Sequence, residues 1–110
     1  MKVGIYTRVS TDEQVKKGFS LGDQKDECLR YIHLQGWELY NHYCDDGYSG
    51  KDLNRPGIKQ AIRDIEAKKI DIVIFFSLDR LTRSIRDLHY LLDLFEQYKI
   101  DFISIKERFD

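Results

Sequence analysis

Apolar side chains recur along this chain in two alternating periods, and each change of period marks a change of element. From Val3 to Val9 the run reads as a strand whose side chains alternate faces, with Tyr6, Arg8 and Ser10 to one side and Ile5, Thr7 and Val9 to the other. Thr11 to Phe19 is mainly polar, contains one glycine and reads as a loop. Ser20-Leu21-Gly22-Asp23 has the pattern of a capping box, in which the serine caps a helix and the acid three residues on reaches back. Leu21, Cys28, Leu29 and Ile32 supply that helix with an apolar stripe, and Gly36 ends it. Trp37 to Cys44 alternates loosely and predicts a second strand, followed by the turn-rich Asp45-Asp46-Gly47-Tyr48-Ser49-Gly50. Pro56 suits the first turn of a helix along which Ile58, Ala61, Ile62 and Ile65 keep helical spacing. Ile70 to Phe76 is nearly continuous and mostly β-branched or aromatic, the mark of a strand buried on both faces. Leu88, Leu91, Leu92, Phe95 and Tyr98 predict a third amphipathic helix, and Ile100 to Ile105 a last strand.

Strands that alternate with helices predict an α/β fold: three layers, with a central, largely parallel sheet of four or five strands flanked by helices and joined by right-handed crossovers. In open sheets of this kind the ligand crevice lies beyond the carboxyl ends of the strands. Two arginine-bearing motifs begin at such ends, Tyr6-Thr7-Arg8-Val9-Ser10 and Asp79-Arg80-Leu81-Thr82-Arg83. A serine and several arginines therefore meet at one edge of the sheet.

Composition narrows what can happen there. With 110 residues and 42% hydrophobic content, one domain spanning 1–110 is expected. Lys and Arg number 18 against 19 for Asp and Glu, so a net charge of −1 gives no global pull toward nucleic acid or anionic membrane, and attraction for phosphate must be local. Cys28 and Cys44 lack metal-ligand spacing and are too few for a disulfide framework, which fits core or half-buried thiols in a reducing cytoplasm. The apolar stretch at Met1 to Ile5 is too short for a signal peptide, and no window approaches the roughly 18 apolar residues of a membrane span. The expected protein is soluble, cytoplasmic and without a membrane partner.

An anion site with a hydroxyl nucleophile is the chemistry these residue types allow. Attack on a phosphodiester raises the charge on the phosphoryl oxygens, and fixed guanidinium groups stabilise that transition state selectively. Arginine binds two oxygens at once through its planar fork, where lysine acts as a point charge. Arg80 and Arg83, three apart, share a face if a helix begins near Leu81; Arg8 lies two residues from Ser10 on one strand face; Arg55, just before Pro56, is a fourth candidate. Serine is a weak nucleophile until a base or a cationic pocket helps remove its proton, and no histidine sits near either motif in the sequence. Plainer roles remain open: a solvated helix face for Arg80 and Arg83, a helix cap or a partner for Arg80 in Asp79, sheet packing for Tyr6, and surface or core positions for His33, His42 and His89.

Together the motifs resemble the serine recombinases, the family of resolvases, invertases and phage integrases. The resemblance rests on Tyr6-Thr7-Arg8-Val9-Ser10-Thr11 with Gln14, Gly18-Phe19-Ser20-Leu21 leading to Gln24, Asp46-Gly47-Tyr48-Ser49-Gly50, Arg55-Pro56-Gly57, and Leu78-Asp79-Arg80-Leu81-Thr82-Arg83. The Gly-Phe-Ser-Leu stretch and the ending Phe102-Ile103-Ser104-Ile105-Lys106-Glu107 look like the large-serine-recombinase branch of phage integrases and conjugative-element transposases. The resemblance implies a resolvase-like catalytic domain in which Ser10 forms a 5′-phosphoserine bond to DNA and frees a 3′-hydroxyl, with Arg8, Arg55, Arg80 and Arg83 around the scissile phosphate. It implies supporting roles for Tyr6, Gln14, Gln24, Ser49 and Asp79, and strand rejoining without ATP, metal or other cofactor. It further implies double-stranded DNA attachment sites as partners and homodimers and homotetramers on DNA in a full-length protein, whose oligomerisation helix and DNA-binding domains lie outside this chain. A hydrolytic phosphoesterase or nucleotide enzyme on a similar α/β scaffold, which the lack of a carboxylate cluster for metals argues against, and a non-catalytic anion-binding or dimerisation module are the rivals from other classes.

Overall fold

Four strands form one sheet in the computed structural model, which describes residues 1–14 and 20–107. The elements run β1 (Lys2–Val9), α1 (Thr11–Gln14), α2 (Leu21–Gln35), β2 (Glu38–Asp46), α3 (Pro56–Glu66), β3 (Ile72–Phe75), α4 (Leu78–Leu81), α5 (Ile85–Gln97) and β4 (Asp101–Ser104). The strand order is β2-β1-β3-β4 and every pairing is parallel. This is the three-layer α/β arrangement read from the sequence, with four strands.

β1 is central and sorts its side chains as a strand must. Tyr6 packs with Tyr43, Ile58, Ala61, Ile65, Phe75 and Leu91, the side covered by α3 and α5, whereas Val3 and Ile5 pack with Cys28, Ile32 and Ile74 under α2. β3 ends at Phe75, opposite Tyr6, so Thr7 to Ser10 run on past it and leave a notch above its carboxyl end. α4 and the turn after β2 fill that notch with backbone.

Local chemistry fixes the helix ends. Ser20 and Asp23 form the expected capping box, at 3.1 and 3.2 Å, and Gly36 ends α2 in the left-handed region at φ 71°. Pro56 opens α3, and Ser84, whose hydroxyl accepts from the Asp87 amide, caps α5.

Several expectations are corrected. The stretch from Thr11 is not all loop, because Thr11–Gln14 forms one helical turn; the rest of that predicted loop, including Lys16, Lys17, Gly18 and Phe19, lies outside the described residues. β2 runs two residues past Cys44, which turns Asp45 from a turn residue into a fully buried one paired with Arg8 across the ladder. β3 is shorter than the apolar run that announced it, since Ile70 and Phe76 lie beyond its ends. Cys28 is buried, and burial pushes its thiol up to about 12, but Cys44 is exposed. No helix among the described residues is long and apolar enough to cross a membrane.

Candidate active site

Ser10 sits where β1 gives way to α1, and it holds that turn together. Its hydroxyl accepts from the Glu13 amide at 3.3 Å while its own amide donates to Glu13 Oε1 at 2.9 Å, a second capping box. The arrangement leaves Ser10 half-buried and brings the Glu13 carboxylate across the end of the strand. There it meets the second motif: Glu13 Oε2 lies 2.5 Å from Arg80 Nη1 and 3.7 Å from Arg83 Nη2, and Oε1 lies 4.0 Å from Arg8 Nη1. Burial works against the charge of this carboxyl, but hydrogen bonds from Ser10 and the Arg80 guanidinium prevail and hold it at about 2.

The four arginines divide by what their donors already do. Arg8 is 0% exposed and spends all three nitrogen positions on main-chain carbonyls: Nε on Arg80 at 3.1 Å, Nη1 on Tyr48 at 2.9 Å and Nη2 on Asp79 at 2.7 Å. It is a tie between the two arginine motifs and the turn after β2. Arg55 is likewise buried, donating to the Asp52 and Leu81 carbonyls and, through Nη1, to the Tyr6 hydroxyl at 2.5 Å. Arg80 is mostly covered, its side chain 14% exposed, and Arg83 has a side chain 50% exposed. Arg83 thus presents a guanidinium that solvent reaches, whereas Arg80 directs Nη1 at Glu13 and at the Arg8 carbonyl, the latter at 3.4 Å. Burial first, then repulsion from Arg55, pulls the Arg8 guanidinium below the usual arginine range, a sign of how densely positive charge is packed here.

The predicted supporting residues are placed with similar clarity. Buried Gln24 clasps the Arg8 main chain, accepting from its amide at 3.4 Å and donating to its carbonyl at 3.1 Å. Gln14 donates to Asp46 at 2.8 Å, tying α1 to the end of β2. Tyr6 donates to buried Asp45 at 2.6 Å, and burial raises its phenol far enough that it remains a donor throughout the working range. Ser49 is exposed, and its hydroxyl accepts from the Lys51 amide at 3.2 Å. Asp79 accepts from Ser77 at 2.5 Å.

Two sequence readings do not survive. Arg80 and Arg83 do not share a helix face: α4 ends at Leu81, Thr82 is extended, and the two arginines meet at Glu13. The carboxylate partner of Arg80 is Glu13, 67 residues away in sequence, and not Asp79. A histidine also lies closer to the first motif than the sequence suggested, for His42 Nε2 is 2.7 Å from Thr7 Oγ1. Thr7 faces the α2 side, away from Arg8, so this contact belongs to the sheet.

Sequence reasoning missed Glu13 and Asp45. The first was readable as the Ser-x-x-Glu pattern of Ser10-Thr11-Asp12-Glu13. The second had no local signal: Asp45 accepts from Tyr6, from the Gly57 amide at 2.7 Å and from the Ile58 amide at 3.0 Å, and so seats the start of α3 on the sheet. Among the described residues no three His, Cys, Asp or Glu side chains converge as metal ligands.

Residues 3–110 match the family described as Resolvase, N terminal domain. The chain belongs to this family. It is a site-specific recombinase catalytic domain of the resolvase type. Among solved structures it is similar to the N-terminal catalytic domain of TP901-1 integrase, with a TM-score of 0.90 and 48% identity over 96% of this chain and 78% of that one. Among curated proteins it is 48% identical over 64 residues to the uncharacterized immunity region protein 3 of Bacillus phage phi105, covering 58% of this chain and 78% of that protein. It is 30% identical over 105 residues to the transposon Tn917 resolvase of Enterococcus faecalis, covering 96% of this chain and 50% of the resolvase. The resolvase-type chain described here thus spans about half the length of that relative.

Proposed function

We propose that Ser10 is the nucleophile of a DNA strand transfer. Its hydroxyl attacks a backbone phosphodiester, the 3′-oxygen leaves as a hydroxyl, and the 5′ phosphate remains esterified to Ser10. Attack by a 3′-hydroxyl on that ester reverses the chemistry, so strands rejoin without ATP. The observation that supports this best is the convergence of Ser10 with Arg80 and Arg83 on one carboxylate, an anion that uses the same donors as a phosphate. Arg80 and Arg83 supply the charge that the transition state needs, and they do so without a metal.

Arg8 and Arg55 complete the reading from beneath. With their donors committed to carbonyls and to Tyr6, they hold the two motifs in register and add positive potential under the phosphate. Gln24, Tyr6 and Gln14 position this layer, Asp79 holds the turn that carries Arg80, and Ser49 belongs to the loop over Arg8. Double-stranded DNA at two attachment sites is the proposed substrate, in the cytoplasm. A full-length protein would act as a dimer on each site and a tetramer in exchange, with residues 1–110 as catalytic domain and site recognition outside them.

The test is the polarity of cleavage. A chimaera in which this chain replaces the matched part of TP901-1 integrase, incubated with that integrase's DNA sites, should leave protein on 5′ ends and free 3′ ends that a polymerase extends. Protein on 3′ ends, or cleavage without attached protein, would contradict a serine ester of this kind.

A further inference from the structure

Glu13 holds groups that the proposed reaction needs for something else. The amide of Ser10, the guanidinium of Arg80 and, more distantly, those of Arg83 and Arg8 all face its carboxylate, at 2.9, 2.5, 3.7 and 4.0 Å. A carboxylate and a phosphate compete for such donors because both offer paired oxygens to a guanidinium fork. We propose that Glu13 is a built-in counter-ion of the arginine cluster, which holds the phosphate's seat in the free protein and yields it when a phosphate binds. The inference rests on reading Arg80 and Arg83 as phosphate ligands.

The need for such an ion follows from the packing. Arg55 and Arg83 both disfavour the charge of Arg8, and with no anion among them these guanidinium groups would repel one another. The means of release is local. Glu13 is carried by α1, a single turn with no buried residue, tied down near Ser10 by short-range hydrogen bonds and by Gln14 on Asp46. Its carboxylate can leave the cluster without exposing core. Proton transfer from Ser10 is a poor alternative role, since a carboxyl held at about 2 is a weak base at neutral pH.

The experiment titrates inorganic phosphate into the 110-residue chain and follows the Ser10 amide by nuclear magnetic resonance. If the seat is filled by Glu13 at least nine-tenths of the time, Glu13→Gln and Glu13→Ala should each bind phosphate about tenfold more tightly than the parent. Adding Arg83→Gln, a change at a half-exposed side chain, should remove most of that gain. Unchanged or weaker binding in both Glu13 variants, with Arg83→Gln still weakening the parent chain, would overturn the counter-ion and leave the arginine site standing. Phosphate binding indifferent to Arg83 and Glu13 alike would overturn the phosphate reading itself and the inference with it.

Discussion

The Tyr6 hydroxyl stands between Arg55 and Asp45, accepting from the first at 2.5 Å and donating to the second at 2.6 Å. Arg55 also lies over the Tyr6 ring, 5.6 Å from its centre. The phenol therefore joins two buried charges that come from different elements, one just before α3 and one at the end of β2. Tyr6→Phe removes the bridge and leaves an Arg55 donor and an Asp45 oxygen each short of a partner. The expected loss is about 1–3 kcal/mol of folding stability, read by urea denaturation. A Phe variant as stable as the parent would show that the bridge is not structural.

Acid should weaken the turn at Ser10 in a defined window. The Glu13 carboxyl is depressed from 4.5 to about 2, so it stabilises the fold fully above its unfolded value and loses that contribution as pH falls from about 4.5 through 2. With the side chain 22% exposed, the contribution is about 1–2 kcal/mol. Parent and Glu13→Gln should thus differ in stability near pH 6 and converge toward pH 2. A gap that stays constant down to pH 2 would remove Glu13 as its source.

Much of this arrangement is legible in the sequence because it rests on neighbours in the chain. The alternation of Tyr6 and Ile5 across β1, the Ser20–Asp23 cap and Pro56 at the head of α3 each depend on spacings of a few residues, which periodicity and capping rules read directly. What spacing does not carry is which carboxylate answers which arginine. Asp79 adjoins Arg80, yet Glu13 pairs with it, because α4 closes within one turn and aims Arg80 back across the end of β1. Asp45 reads as one more polar residue in a turn until parallel pairing with Arg8 draws β2 two residues further. The committed donors of Arg8 and Arg55 were equally out of reach, since their acceptors are main-chain carbonyls that any residue could supply.

Gly50 tests how tightly Arg8 is held. A Cβ there would stand 3.0 Å from Arg8 Nη2 and 3.1 Å from Arg83 Cγ. Arg83 is free to give way, but Arg8 is pinned by three carbonyls, so Gly50→Ala should displace the loop that carries Tyr48. Strand cleavage by the chimaera should fall by roughly a hundredfold, the scale of a 1 Å misplacement at a reacting centre. Cleavage at the parent rate would show that the loop adapts.

Replacing Arg80 or Arg83 by Lys keeps the charge and removes the fork. Cleavage should slow by roughly a hundredfold or more while DNA binding barely changes, as expected for the loss of a preorganised transition-state donor worth about 3 kcal/mol. Normal cleavage with weakened DNA binding would make these arginines docking contacts.

The central claim is that Ser10 carries the DNA. Digestion of the trapped protein–DNA adduct with protease and nuclease, followed by mass spectrometry, should find the nucleotide phosphate on the peptide containing Ser10, and Ser10→Ala should abolish the adduct. A phosphate mapped to Ser49 or Ser77, or an adduct that persists in Ser10→Ala, would contradict the assignment.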